Sequence, residues 1–369
     1  MTRPRSRAVR LLVAATVVAA LCSIGISSSA DALQQDRRPI RTTAPKRAVK
    51  SKRAVKRKPA RRRKKPVVRR QPAAAPAAAT GHRNPSLWPF AANSPWNAPI
   101  GSGAQFGGND DPRNLDMADP NLGGTVNAAS WSHPVFQASG TDAIRQIMWD
   151  GQSVAIHVPA NAEASAGEDG HLHIIDPTGT YVDEMYNARI SGTSIFVDNY
   201  IRYDLRGSGV GQGSVRAYGG SALGGLIRTW ELQWGTIKHA LAFAIPASKQ
   251  RSGPVWPATT QDSWGDSSYS GSIPMGSLFA IPRSIDLNGL GLSREGLVIA
   301  TALQNYGAYD VDTSDGFVFD AEPSSEGLLD GARNDIPELR SLLRVVTDNG
   351  PWTVGGGGTP VVAIAPPSG

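Results

Sequence analysis

From Arg37 to Arg70 almost every second residue is lysine or arginine, and no apolar periodicity accompanies the charge. A stretch with nothing to bury and strong self-repulsion cannot join a packed core, so this run divides the chain into parts that must be read separately. Residues 1–80 carry 22 lysines and arginines against two acids, Asp31 and Asp36, whereas residues 81–369 carry 16 basic and 29 acidic side chains. The formal charge of +7 therefore conceals an acidic body. This distribution excludes a basic nucleic-acid-binding domain. The single cysteine, Cys22, excludes a disulfide scaffold and a cysteine-rich zinc or iron–sulfur site.

Arg3, Arg5, Arg7 and Arg10 precede an apolar run from Leu11 to Leu21, and Ala30-Asp31-Ala32 closes the small residues after it. This is the pattern of a secretory signal peptide over 1–32, cleaved after Ala32. The alternative, an uncleaved anchor, has only the 16 residues from Leu11 to Ile26, short of the roughly 20 that cross a bilayer. No later segment is apolar enough to span a membrane. Residues 33–80 read as a disordered basic and Ala/Pro-rich linker, with Lys-Arg-Ala-Val-Lys at both 46–50 and 52–56. Outside the cell, such a tract meets anionic cell-envelope polymers as a salt-dependent partner. It has no aromatic residue for base stacking, so a specific nucleic acid is not expected. The expected location is secreted, extracellular or envelope-associated.

Within 81–369, glycine supplies 39 of 289 residues, about twice its roughly 7% average, so turns are frequent. Between them lie strand-like runs at 154–158, 171–175, 181–186, 194–197, 226–232, 237–245 and 317–319. Turn residues at 176–180 make 171–186 a hairpin. Two helices are expected, one from an N-cap at Ser293 to Tyr306 and ended by Gly307, the other from near Asp335 to Gly350-Pro351. Many strands and few helices favour a single all-β domain over 81–369, an antiparallel β-sandwich of jelly-roll type with a few short helices and a Pro/Gly-rich tail.

The body lacks a phosphate-binding loop, a dinucleotide fingerprint, a His-Glu-x-x-His helix and a nucleophile elbow. Carboxylates, histidines and aromatics remain. His171 and His173 share one strand face, a spacing that ligates a metal if a third ligand such as His157 or His239 joins. Such pairs are also common on exposed strands, and no metal or cofactor is assigned. Glu184 and Tyr186 share a face opposite Met185. If Met185 is buried, a carboxylate beside a phenol lines a groove as an acid/base and sugar-contact pair, the alternative being a solvated glutamate. Extended geometry over 226–232 puts Arg228, Trp230 and Leu232 on one face and Glu231 on the other. His239, among apolar neighbours, is either a satisfied core residue or a buried acid/base. Asp310 and Asp312 share a strand face and either bind a ligand or, more simply, meet solvent. Eight tryptophans between Leu87 and Trp264 exceed what one core uses readily, and exposed ones suit sugar rings.

Asn93-Ser94-Pro95-Trp96-Asn97, Asp169 to Asp176-Pro177, Glu184-Met185-Tyr186-Asn187-Ala188-Arg189, Gly224-Gly225-Leu226-Ile227-Arg228, Ile237-Lys238-His239-Ala240-Leu241 and Ala302-Leu303-Gln304-Asn305-Tyr306-Gly307-Ala308-Tyr309 occur in that order. Together they resemble a family of secreted bacterial proteins, over most of 88–315. The resemblance implies a jelly-roll, carbohydrate-active protein and brings no catalytic set with it. The expectation is a polysaccharide-cleaving enzyme, a glycoside hydrolase using Glu184 with Asp198 or Glu231. A polysaccharide lyase is the alternative, with Arg228 neutralising a uronate and His239 or Tyr306 moving protons. Tyr186, Trp230, Tyr306 and Tyr309 are the expected sugar contacts. A non-catalytic glycan-binding or cell-wall protein would share the same composition.

Overall fold

The computed structural model describes residues 82–367. The signal peptide and linker expected over 1–80 lie outside the described residues.

The central strand Leu241–Ile245 shows how the layers form. Its period-two alternation turns Leu241, Phe243 and Ile245 toward Ile299, Leu303, Ile336 and Leu339 of the helices Arg294–Asn305 and Asp330–Leu342. Ala242 and the preceding Ala240 turn the other way, into a core with Ile175, Val182 and Tyr203. This strand lies in a six-stranded sheet ordered Thr125–Asn127, Val318–Asp320, Leu241–Ile245, Ala308–Thr313, Leu278–Ala280 and Arg344–Val345. A four-stranded sheet ordered Val135–Gln137, Leu172–Ile175, Tyr181–Tyr186 and Asn199–Asp204 covers its alanine face. That sheet in turn buries Leu172, Ile174 and Met185 against Ile147, Ile156 and Ile195 of a second four-stranded sheet. Helices thus cover one side of the large sheet and two sheets follow on the other.

The body is mostly sheet with short helices, but the sheets are mixed rather than wholly antiparallel. Parallel pairs join Thr125–Asn127 to Val318–Asp320, Leu241–Ile245 to Ala308–Thr313, Val135–Gln137 to Leu172–Ile175, and Ile144–Trp149 to Ser194–Phe196. A parallel neighbour needs a long crossover, and between Ile245 and Ala308 the helix Arg294–Asn305 lies within one. Ser293 caps that helix by accepting from the Gly296 N–H at 3.0 Å. The second long helix begins at Asp330, upstream of the expected start, because Ala332 already shares the buried face of Ile336 and Leu339.

The run 226–232 is not a strand. Thr229–Trp234 is a helix, and the Glu231 carboxylate accepts the Arg228 backbone N–H at 3.0 Å, so Glu231 folds back toward Arg228 instead of facing away from it. Just upstream, Gly225 has φ +75° and a Cβ there would stand 2.3 Å from the Ala242 backbone nitrogen. The chain passes too close to the central strand for any side chain. Among the described residues no helix is long and apolar enough to cross a membrane.

Candidate functional site

Along Leu172–Ile175, Leu172 and Ile174 face the outer core, so His173 and the flanking His171 face the six-stranded sheet. His133, two residues before the Val135 that pairs in register with His173, joins them. All three imidazoles are buried, and one ring nitrogen from each lies within 4.8 Å of the others. His133 Nδ1 and His173 Nε2 are 3.0 Å apart, while Nδ1 of His171 and Nδ1 of His173 have no hydrogen-bond partner. Burial and then the charge of Arg216 lower the His171 pKa to about 3. Burial and then the His171 ring hold His133 and His173 well below the usual range. The trio is therefore neutral, with lone pairs available. Neither expected third histidine takes part. His157 Nδ1 pairs with the Asp142 carbonyl at 2.7 Å, and His239 pairs with Glu231.

Behind the histidines Arg216 is buried between two carboxylates, its Nε 3.0 Å from Asp312 and its Nη2 2.9 Å from Asp320. Asp320 stands 3.8 Å from His133 Nε2. The solvent-facing reading of Asp310 and Asp312 is corrected here. Asp310 is buried beside the Gln250 amide, and burial pushes its pKa well up; Asp312 is half-buried and held by Arg216.

In front of the histidines the layer opens to a rim. Tyr186, half-buried at the end of its strand, meets the His171 ring edge-on at 5.5 Å between centroids. The Asp169 carboxyl is its electrostatic neighbour. Burial raises the pKa of both, and Asp169 adds to the rise at Tyr186. Trp131 is 48% exposed, and its Nε1–H donates to Glu168 at 3.0 Å. Four residues with positive φ converge here: Trp131 (48°), Gly167 (99°), Gly170 (49°) and Asn187 (52°). A Cβ on Gly167 would sit 2.8 Å from the Trp131 ring, so only glycine leaves the indole room. Backbone hydrogen bonds from Trp131 to the Ala166 carbonyl and from Asn187 to that of Asp169 tie the three segments together. Positive φ is uncommon for the two non-glycine residues, Trp131 and Asn187, and conformations of that kind cluster where a site is held in one geometry.

The structure distributes the other expected residues elsewhere. Glu184 lies directly opposite His173 but is wholly buried. The Ser221 hydroxyl donates to one carboxylate oxygen and the Ala222 N–H donates to the other at 3.0 Å. Burial pushes its pKa up to about 7. A groove-facing Glu184 does not follow from a buried Met185, because this sheet is covered on both faces. Asp198 is exposed and held by Arg189 at 2.9 Å and Asn187 at 2.7 Å. Arg228, Glu231 and His239 do come together: His239 Nε2 is 3.1 Å from Glu231, and Arg228 Nε is 2.8 Å from Glu322. Arg228 and His239 border a cavity of about 10 Å³ beside Trp88, room for no more than one water. Trp230 is half-buried against Trp234, whereas Tyr306 and Tyr309 are core side chains, the latter packed on Trp96. Sequence reasoning passed over His133 and Arg216, which carry no motif, and assigned no site role to Trp131, counted only among the eight tryptophans, or to Asp169, the first residue of one resembling segment; all four reach the site through strand pairing and loop closure. No protein-family model, curated protein or solved structure matches this chain.

Proposed function

We propose that this protein is an exported enzyme that cleaves a polysaccharide by acid/base chemistry at the rim of Trp131, Asp169 and Tyr186. The observation that carries the reading is the adjacency of a half-buried phenol and a carboxyl beside an exposed indole, on a rim braced by four left-handed residues. An exposed indole offers a platform to the apolar face of a sugar ring, and phenol and carboxyl are proton-transfer groups.

The arrangement favours elimination over hydrolysis. Inverting hydrolysis needs two carboxyls about 6.5–9.5 Å apart on opposite sides of the ring, and retaining hydrolysis needs two at about 5–5.5 Å. Glu184, Asp198 and Glu231 are each engaged elsewhere, and the exposed Glu168 accepts the Trp131 Nε1–H through one carboxylate oxygen. Asp169 and Tyr186 instead form a carboxyl–phenol pair. Asp169 takes the proton α to a uronate carboxyl, the C–O bond breaks, and the leaving oxygen takes the Tyr186 proton. Transfer from Asp169 back to Tyr186 then restores both groups. The basic linker, in this reading, keeps the enzyme near the anionic envelope.

A panel of uronate and neutral glycans tests the reading, following unsaturated uronates by absorbance together with new reducing ends. Unsaturated products that fall at least ~10²-fold in Tyr186→Phe are expected. Reducing ends without unsaturation would establish hydrolysis in place of elimination. Binding without either signal would make the protein a glycan-binding module.

A further inference from the structure

The three buried imidazoles are costly as scaffold. A buried polar atom without a partner costs about 1–3 kcal/mol, and Nδ1 of His171 is such an atom beside the His133 and His173 rings. The spacing suits a shared ion. Two nitrogens bound to one metal at about 2.0–2.1 Å stand roughly 3.0–3.4 Å apart, and His133 Nδ1 and His173 Nε2 are 3.0 Å apart. The third ring brings a nitrogen within 4.8 Å of these. On its far side His133 Nε2 faces Asp320 at 3.8 Å, and Arg216 fixes Asp320 at 2.9 Å. At 3.8 Å the carboxylate makes no hydrogen bond to the ring but places a negative charge behind it, on the side where the carboxylate partner of a ligating imidazole stands. The two guanidiniums whose charge reaches these rings are each held by carboxylates, Arg216 by Asp312 and Asp320 and Arg228 by Glu322, so their positive charge is compensated.

We propose that His133, His171 and His173 bind one divalent transition-metal ion of the zinc, cobalt or nickel class. Three imidazole donors favour these ions over magnesium or calcium, which take oxygen ligands. Three protein ligands also leave a coordination position for water or substrate, as in catalytic rather than structural sites. Service of this ion as the positive charge beside a uronate carboxylate rests on the polysaccharide reading, whereas the site itself does not.

The test uses the untagged full chain, stripped with a chelator and titrated calorimetrically with Zn²⁺ and Co²⁺, with Mg²⁺ as the control. One equivalent of Zn²⁺ or Co²⁺, no uptake of Mg²⁺, and visible d–d absorption from bound Co²⁺ are expected. Affinity should fall at least ~10-fold in His133→Ala, His171→Ala and His173→Ala and stay unchanged in His157→Gln. Absence of binding, or binding that survives the three alanine changes, overturns the proposal. Where an alanine variant does not fold, X-ray absorption of the cobalt-loaded wild type counts the imidazoles directly: three support the site, two or fewer overturn it. None of these readouts needs catalysis. A protein that binds the ion and cleaves no glycan therefore sinks only the polysaccharide reading.

Discussion

Glu184 and Tyr186 sit two residues apart on the same strand face, yet one is scaffold and the other reaches the rim. The difference is position along the strand: Glu184 lies opposite His173, under the six-stranded sheet, and Tyr186 lies at the end where that cover stops. Their substitutions should separate cleanly. Tyr186→Phe should lose activity while keeping the wild-type free energy of unfolding to within a few tenths of a kcal/mol. Glu184→Gln should keep activity and change the pH dependence of stability. The Glu184 pKa is raised from 4.5 to about 7 by burial. Its stabilising effect in the protonated form is complete below the unfolded value and is lost as pH rises through the folded one. Wild-type stability should therefore decline across that window by on the order of 3 kcal/mol from this group, and Glu184→Gln should remove the decline. Urea unfolding across the window measures it; an unchanged pH profile in the variant would show that Ser221 and Ala222 hold an ionised carboxylate.

At the scale of elements, the short helix Thr229–Trp234 illustrates how one carboxylate serves two structures. Glu231 accepts the Arg228 backbone N–H at the helix start and pairs with His239 on the segment leading to the central strand. Burial disfavours charge on His239, but Glu231 and the Ala240 carbonyl outweigh it and raise its pKa. Glu231→Ala removes the cap and strands the imidazole, at a cost of roughly 3 kcal/mol. Because the His239 pKa is raised, the ion-pair share of this cost is fully present at acid pH and fades as pH rises through the folded value. The wild type and Glu231→Ala should thus differ most in acid and converge partly in alkali, by chemical denaturation. A gap independent of pH would assign the whole effect to the cap. Reading 226–232 as extended missed this helix because Thr229, Trp230, Glu231 and Leu232 alternate polar and apolar as a strand would. The Glu231 cap and Gly235, with φ +75°, were the better signal.

For the whole molecule, the division of charge between residues 1–80 and the acidic body calls for a test of its own. Deleting 37–70 should leave glycan cleavage intact and release the protein from cells, because such a tract acts through long-range, screened attraction. Raising the salt should release the full-length protein in the same way. Retention of the full-length protein in molar salt would point to a tether other than charge. Within the body, the order of layers decides which faces meet. The two histidines of one strand were legible as a pair, but the third lies on a segment that reaches them through parallel pairing, 38 residues upstream of His171.

Alternation, caps and turns act over a few residues, so the sequence by itself determined the hairpin at 171–186, the helix capped by Ser293, the shared face of His171 and His173, and the predominance of sheet. It also made Glu184 and Tyr186 neighbours on a strand face. Whether that face meets solvent, a core or another sheet depends on partners far along the chain. Only the tertiary structure could bury Glu184, turn Asp312 and Asp320 onto Arg216, and bring His133 and Trp131 to the same end of the sheet. Parallel pairing was hidden for the same reason: strand residues look alike in either orientation, and the crossover that sets the direction is distributed over long loops and a helix.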